Sequence, residues 1–168
     1  VFLRDPFSHL HRDTDVEGTT DGWDDATAYG WTEQVDDSPL EWARYAYSHR
    51  STAWNSGLWF VQATRGGQRL VRILSHRMAT ENTWDQTAYN EEVGLPARGG
   101  LSGAAISRRA ANYLCFANSK TLFRRVLREP RLARHRIVVS HVNYHANQPQ
   151  KMRAIFAKYH EGDDGAAN

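Results

Sequence analysis

Apolar positions along the chain recur with two periods, and their alternation predicts the fold class. Between Gln68 and Glu81 the residues Leu70, Val71, Leu74 and Met78 are spaced by one, three and four, which predicts an amphipathic helix with Arg69, Arg72 and Arg77 turned outward. Met152, Ile155, Phe156 and Tyr159 repeat the pattern in a last helix from Gln150 to Tyr159. Ala53 to Val61 is instead a run of aromatics broken by Asn55-Ser56-Gly57, the pattern of a buried strand bent where something approaches its backbone. A second strand is expected from Arg136 to His141, around Ile137-Val138-Val139. Asp37-Ser38-Pro39 reads as a cap and first turn of a helix reaching about Arg50. Asp85 to Glu92 reads as a short helix, 94 to 104 as a glycine-rich loop, and Arg108 to Leu127 as mostly helical. Val1 to Phe7 has the character of a strand end, and residues 8 to 37, rich in Asp, Gly and Thr, predict a long ordered loop. Strands alternating with helices imply an α/β class with a mixed, mainly parallel sheet, and the lack of a repeat or linker implies one domain over 1–168.

Composition narrows the class of protein. With 40% hydrophobic and 24% charged residues among 168, the chain is globular rather than disordered or collagenous. It has no apolar run near the ~18 residues needed to span a bilayer, so no membrane segment is expected within it. Cys115 is the single cysteine, so no internal disulfide can form. The net charge of +2 hides a strong polarity. Residues 1–40 hold ten acids against Arg4 and Arg12, whereas 98–136 hold nine arginines and Lys120 against Glu129 alone. An acidic stretch suited to cations and hydroxyls thus precedes a basic one suited to phosphates; the plainer reading is two solvated faces that pair with each other. No basic stripe with interleaved exposed aromatics supports nucleic-acid binding.

Three clusters can carry chemistry. Asp13-Thr14-Asp15 and the denser Asp21-Gly22-Trp23-Asp24-Asp25 offer oxygen ligands for a divalent cation or partners for sugar hydroxyls, with Trp23 as a stacking ring. Their alternative role is as solvated or capping carboxylates. Trp84-Asp85-Gln86 sets a carboxylate and a carboxamide at a helix start, where Asp85 could simply cap. His141-Val142-Asn143-Tyr144-His145 follows an apolar strand, placing two imidazoles at the strand end where α/β sheets bind ligands; a packed or surface histidine is the competing role.

In order, the runs Asp15 to Gly30, Trp42 to Ala46, Asn55-Ser56-Gly57, Trp84-Asp85-Gln86, Asn118-Ser119-Lys120 and His141 to His145 resemble the plant and algal arabinosyltransferases of the nucleotide-diphospho-sugar transferase superfamily. The resemblance extends from Leu3 to about Gly162. It implies a GT-A-like, Rossmann-like fold, of which this chain is the C-terminal portion. It also implies a retaining transfer of L-arabinofuranose from a UDP-sugar donor to arabinosylated hydroxyproline-rich glycoprotein in the Golgi lumen, with Mn2+ or Mg2+ as cofactor. The family's metal-binding DxD would precede Val1, together with the uridine-binding strands and the Golgi anchor, so Asp13 and Asp15 are not assigned the metal. By resemblance, His141 would be the C-terminal metal ligand and Lys120, or the arginines near it, would approach phosphate. Asn55 and Gly57 would border the donor sugar, Asp21, Trp23, Asp24 and Asp25 would hold its hydroxyls, and Asp85 and Gln86 would flank the anomeric carbon. The 94–105 stretch lacks the aromatic and histidine pattern of relatives, which leaves the acceptor open. Another pentosyl or hexosyl transferase is the nearest enzymatic alternative. A transferase remnant serving as a binding or structural module is the non-enzymatic one.

Overall fold

The fold is a computed structural model that describes residues 1–35, 47–93, 106–144, 146–163 and 165–166. The expected loop at 94–104, most of the helix expected from Asp37, and His145 lie outside these residues. The described chain is a mixed α/β structure with sheets flanked by helices.

Three strands form the first sheet: β1 (Val16–Thr20) lies between β4 (Trp54–Val61), antiparallel to it, and β5 (Arg108–Ala110), parallel to it. β2 (Trp31–Val35) and β3 (Tyr47–Ser51) pair as an antiparallel hairpin. β6 (Phe116–Asn118) and β7 (Val139–His141) form a parallel pair, and Val1 to Leu3 runs beside β7 through backbone bonds to Val138 and Ser140. The helices are α1 (Asp25–Tyr29), α2 (Arg65–Thr80), α3 (Asp85–Val93), α4 (Ser119–Thr121), which continues as a wider turn over Leu122–Val126, and α5 (Gln148–Phe156). Among the described residues no helix is long and apolar enough to cross a membrane.

β1 corrects the expectation of a loop from 8 to 37. Its sequence, Val-Glu-Gly-Thr-Thr, has no apolar alternation, yet all five residues are buried. The polar side chains can be central because each bonds to backbone. Glu17 accepts from the amides of His11 and Arg12, Thr19 donates to the carbonyl of Leu58, and Thr20 donates to that of Ala28. Buried polar groups satisfied in this way escape most of the desolvation penalty that would otherwise exclude them.

Two helix expectations are also corrected. Tyr47–Ser51 pairs across the hairpin from Trp31–Val35 instead of ending a helix. The region from Arg108 to Leu127 contains β5 and β6 before any helical turn, because Ala111, Phe116 and Ala117 are drawn into the core beside Val138 and Val139. The strand expected at 53–61 and the helix expected from Asp85 form as β4 and α3; the helix expected from Gln68 starts three residues earlier at Arg65, the strand expected from Arg136 is regular only over Val139–His141, and the final helix runs Gln148–Phe156 before a wider turn.

α2 and α3 cover one face of the first sheet, with Leu70, Tyr89 and Val93 packed on Val16 and Trp54. Arg77 was expected outward but is 16% exposed. Its guanidinium bonds Glu81, the residue that closes the end of α2, and Glu91 and Glu92 in α3, the last at 2.9 Å and itself 10% exposed. A sheltered carboxylate left without its cation costs on the order of 1–3 kcal/mol. Arg77→Met should therefore lower the unfolding free energy by about 2 kcal/mol in urea titration, by loss of this cross-helix tie. A midpoint equal to that of the native chain would show that Arg77 does not brace α2 on α3.

Candidate active site

β1 ends at Thr20, and neighbouring elements hold the next residue, Asp21, from three directions. The Asp21 amide donates to the carbonyl of Ala53 at 2.8 Å. The buried Asn118 carboxamide donates to the carbonyls of Thr20 (3.1 Å) and Gly22 (2.7 Å), on either side of Asp21. With the backbone fixed, the carboxylate receives two amides. Asn55 Nδ2 donates to Oδ1 at 2.8 Å, and Gln86 Nε2 donates to Oδ2 at 2.7 Å.

A register shift brings Asn55 there. Gly18 pairs with Trp59, but Thr20 pairs with Trp54, so the stretch Asn55–Leu58 of β4 faces Thr19 alone. The surplus residues leave the regular ladder and turn the Asn-Ser-Gly segment toward the end of β1. Asn55 Oδ1 accepts the Gly57 amide at 2.8 Å while its Nδ2 faces Asp21, which fixes the orientation of the carboxamide from both ends. Gly57 is required here because a Cβ would lie 2.5 Å from the Cε1 and Nε2 atoms of His141.

α3 delivers the other amide. Asn90 pins the helix to the start of β4, accepting from the Trp54 amide and donating to the Trp54 carbonyl, both at 2.7 Å. Asp85 is the first residue inside the helix. Its Oδ1 accepts the Gln86 amide at 2.7 Å and its Oδ2 accepts the Ser56 hydroxyl at 3.0 Å, so it tethers the bulged segment as well as the helix end. Trp84 beside it is 82% exposed.

His141 pairs in register with Asn118 across β6 and β7 and lies against Gly57. Burial lowers its pKa below the usual imidazole value, the charge of the Val1 amino group adds to this, and the Asp21 carboxylate opposes both. Tyr144, which has a left-handed backbone (φ +62°), faces the same carboxylate; burial and then Asp21 raise its phenol pKa. Lys120 Nζ sits 4.6 Å from the centre of the Tyr144 ring.

The structure thus gathers Asp21, Asn55, Gly57, Asp85, Gln86, Lys120 and His141 around one carboxylate and its immediate neighbours, from five separated segments. Asp24 and Asp25 differ from the sugar-binding expectation. Asp24 caps α1, accepting the Thr27 amide at 2.8 Å, and Asp25 accepts the Tyr113 hydroxyl at 2.7 Å. Burial and this contact push the Tyr113 phenol up to about 12. Trp23, 37% exposed, is held through its backbone by Thr27 and Arg125. Asp13 pairs with Arg109 at 2.5 Å, and Asp15 bonds Thr64 and Ser107, so both are structural ties. Asn118 and Tyr144 stood inside the recognised blocks without a role. The signal available for Asn118 was an amide directly after an apolar strand; for Tyr144 there was none.

The described residues fit one metal ligand rather than a full set. His141, held neutral by burial, offers an imidazole lone pair, but no three His, Cys, Asp or Glu side chains among the described residues come together to hold an ion.

Charged, amide and imidazole groups converge at the carboxyl ends of β1, β6 and β7, the edge at which α/β folds bind ligands. The chain belongs to the nucleotide-diphospho-sugar transferase family, which matches residues 1–155. It is 37% identical over 166 residues to arabinosyltransferase RRA2 of Arabidopsis thaliana and 32% identical over 166 residues to arabinosyltransferase RRA1 of the same plant. These alignments cover 99% of this chain but 39% and 41% of the two relatives, so the chain spans about two fifths of their length. No solved structure matches it at a significant level.

The His141 environment gives a measurable sign. With a folded pKa below the unfolded value, the imidazole binds fewer protons in the native state, so stability falls as pH drops through the ordinary histidine range near 6.5. In NMR titration its Cε1 proton should show a midpoint below 6.5, and Asp21→Asn should move it lower still by removing the opposing charge. An upward shift in Asp21→Asn would separate His141 from the Asp21 site.

Proposed function

We propose that this chain carries the donor-sugar side of a retaining arabinosyltransferase site, and that Asp21 is its centre. The observation that carries the reading is the pair of amides on Asp21. Both carboxylate oxygens are engaged by side chains from other elements, and one of these, Gln86, is with Asp85 one of the two residues the family resemblance sets beside the anomeric carbon.

The Asp21 bond orients Gln86. A carboxylate only accepts, so the Gln86 –NH2 must face Asp21 and its carbonyl oxygen is turned away. That oxygen is an electron-rich group suited to the face of the sugar opposite the departing diphosphate, where a retaining transfer develops positive charge at the anomeric carbon. Asp21 therefore acts twice, as a partner for sugar hydroxyls and as the group that aims Gln86. Asn55 and the close approach of the Gly57 backbone border the sugar, and Trp23 supplies an apolar edge. Lys120 meets phosphate. Asp85 holds Ser56 and the start of α3, so it supports the geometry around Gln86.

The cofactor belongs to the same proposal. His141 would supply one ligand to Mn2+ or Mg2+, whose chemistry is to offset the charge of the diphosphate leaving group. UDP-arabinofuranose as donor, a hydroxyproline-rich glycoprotein as acceptor and a Golgi setting rest on the family resemblance and on the names of the two relatives. The non-catalytic alternative is not favoured, since both relatives aligned over 99% of this chain carry the name arabinosyltransferase.

In an active enzyme containing this segment, Gln86→Ala should lower kcat by on the order of 10² with little change in donor KM, the loss typical of one transition-state-stabilising group. Asp85→Ala should reduce stability by about 1 kcal/mol through loss of its helix-end bond, and should lower kcat as Ser56 is released. Full kcat in a folded Gln86→Ala variant would sink the reading.

His141→Ala should raise the Mn2+ concentration needed for half-maximal turnover, whereas unchanged metal dependence would remove His141 from the coordination set.

A further inference from the structure

Tyr144 is held in a conformation that a non-glycine residue adopts only under constraint. Its φ of +62° lies in the left-handed region, where a Cβ crowds the backbone. It is 56% exposed, so apolar burial does not account for the arrangement. Such strain persists where the surroundings enforce it, and it concentrates at sites of function.

The surroundings are specific. Asn143 Oδ1 accepts the Ser119 amide at 3.2 Å, joining the residue before Tyr144 to the residue before Lys120. This tether sets the two side chains beside each other, with the Lys120 ammonium 4.6 Å from the ring centre. At the other end of the side chain the phenol faces the Asp21 carboxylate, which helps keep it protonated and therefore a donor. One aromatic side chain thus spans the distance between a cation and an anion. The two charges are held apart by a ring that interacts favourably with each through a different part of its structure.

We propose that Tyr144 is a bifunctional positioning residue of the donor site: its ring seats Lys120 for the diphosphate and its hydroxyl braces Asp21 for the sugar, so that it links recognition of the two halves of a nucleotide-sugar. The proposal rests on the reading of Asp21 and Lys120 given above. It adds a separable prediction for each half of Tyr144. Phenylalanine keeps the ring and loses the hydroxyl; alanine loses both.

The test is calorimetric binding of UDP and of UDP-arabinofuranose to an active enzyme containing this segment and to its variants, with melting temperatures recorded for each. Tyr144→Phe should bind UDP like the native chain, yet bind the nucleotide-sugar on the order of ten-fold more weakly through loss of a hydrogen bond to a charged group. Tyr144→Ala should weaken UDP as well, by about three- to five-fold as Lys120 loses its seat. In a Lys120→Ala background, Tyr144→Ala should have no further effect on UDP, because the ring acts through the ammonium.

Equal binding of both ligands by Tyr144→Phe and the native chain would overturn the bracing role. Additive losses in the double variant would overturn the seating role. Unimpaired sugar-nucleotide binding by Asp21→Asn, with the Lys120–Tyr144 coupling intact, would refute the reading of Asp21 and the bracing role while supporting the seating role. If the native enzyme bound neither ligand, both the reading and this inference would fall. Should Tyr144→Ala unfold, Tyr144→Phe and Lys120→Ala still decide the question.

Discussion

The candidate site depends on the way β1 ends. Its last peptide carbonyl and the one after Asp21 both bond to the buried Asn118 carboxamide, and the Asp21 amide bonds to Ala53. These contacts commit the local backbone groups to the scaffold, so that the carboxylate is met by side chains alone, those of Asn55 and Gln86. Asn118 also stands in register with His141, so one amide joins the first sheet to the parallel pair that carries the imidazole. Loss of its two donor bonds would take a donor from the Thr20 carbonyl and leave the Gly22 carbonyl with the Thr121 hydroxyl at 3.3 Å, in a buried setting where such a loss costs more than most surface changes.

Around that point the structure concentrates polar groups that would be unfavourable singly. Glu17, Thr19 and Thr20 occupy a central strand because backbone partners satisfy them, and Asn55 is buried between Asp21 and the Gly57 amide. A fully satisfied network in a sheltered setting is stiff, since any rotation breaks a bond without water to replace it. Stiffness of this kind suits a group that must aim Gln86 at a developing charge rather than adapt to it.

Several features of the chain were legible because they depend on neighbours in sequence. Leu70, Val71, Leu74 and Met78 set the period of α2, the aromatics of 54–61 marked β4, and the Asn-Ser-Gly break located the place where His141 approaches the backbone. The motif blocks placed Asp21, Asn55, Gln86, Lys120 and His141 among the candidates, and the structure brings these residues together. The same composition misled at Asp24 and Asp25, which resemble Asp21 in sequence but are committed to Thr27 and Tyr113. It misled again at Val16–Thr20, where polarity suggested a loop and long-range bonding makes a buried strand.

The sequence by itself therefore determined the α/β class, the helix periods and the family, since periodicity and ordered motif blocks are properties of the chain read end to end. The tertiary structure decided which carboxylate receives the amides of Asn55 and Gln86, and which ring Lys120 lies against. Those outcomes depend on a register shift between β1 and β4 and on the pairing of Asn118 with His141. A hydrogen bond between residues 34 or 65 positions apart has no local pattern to announce it, because its partners meet only after the intervening chain has packed.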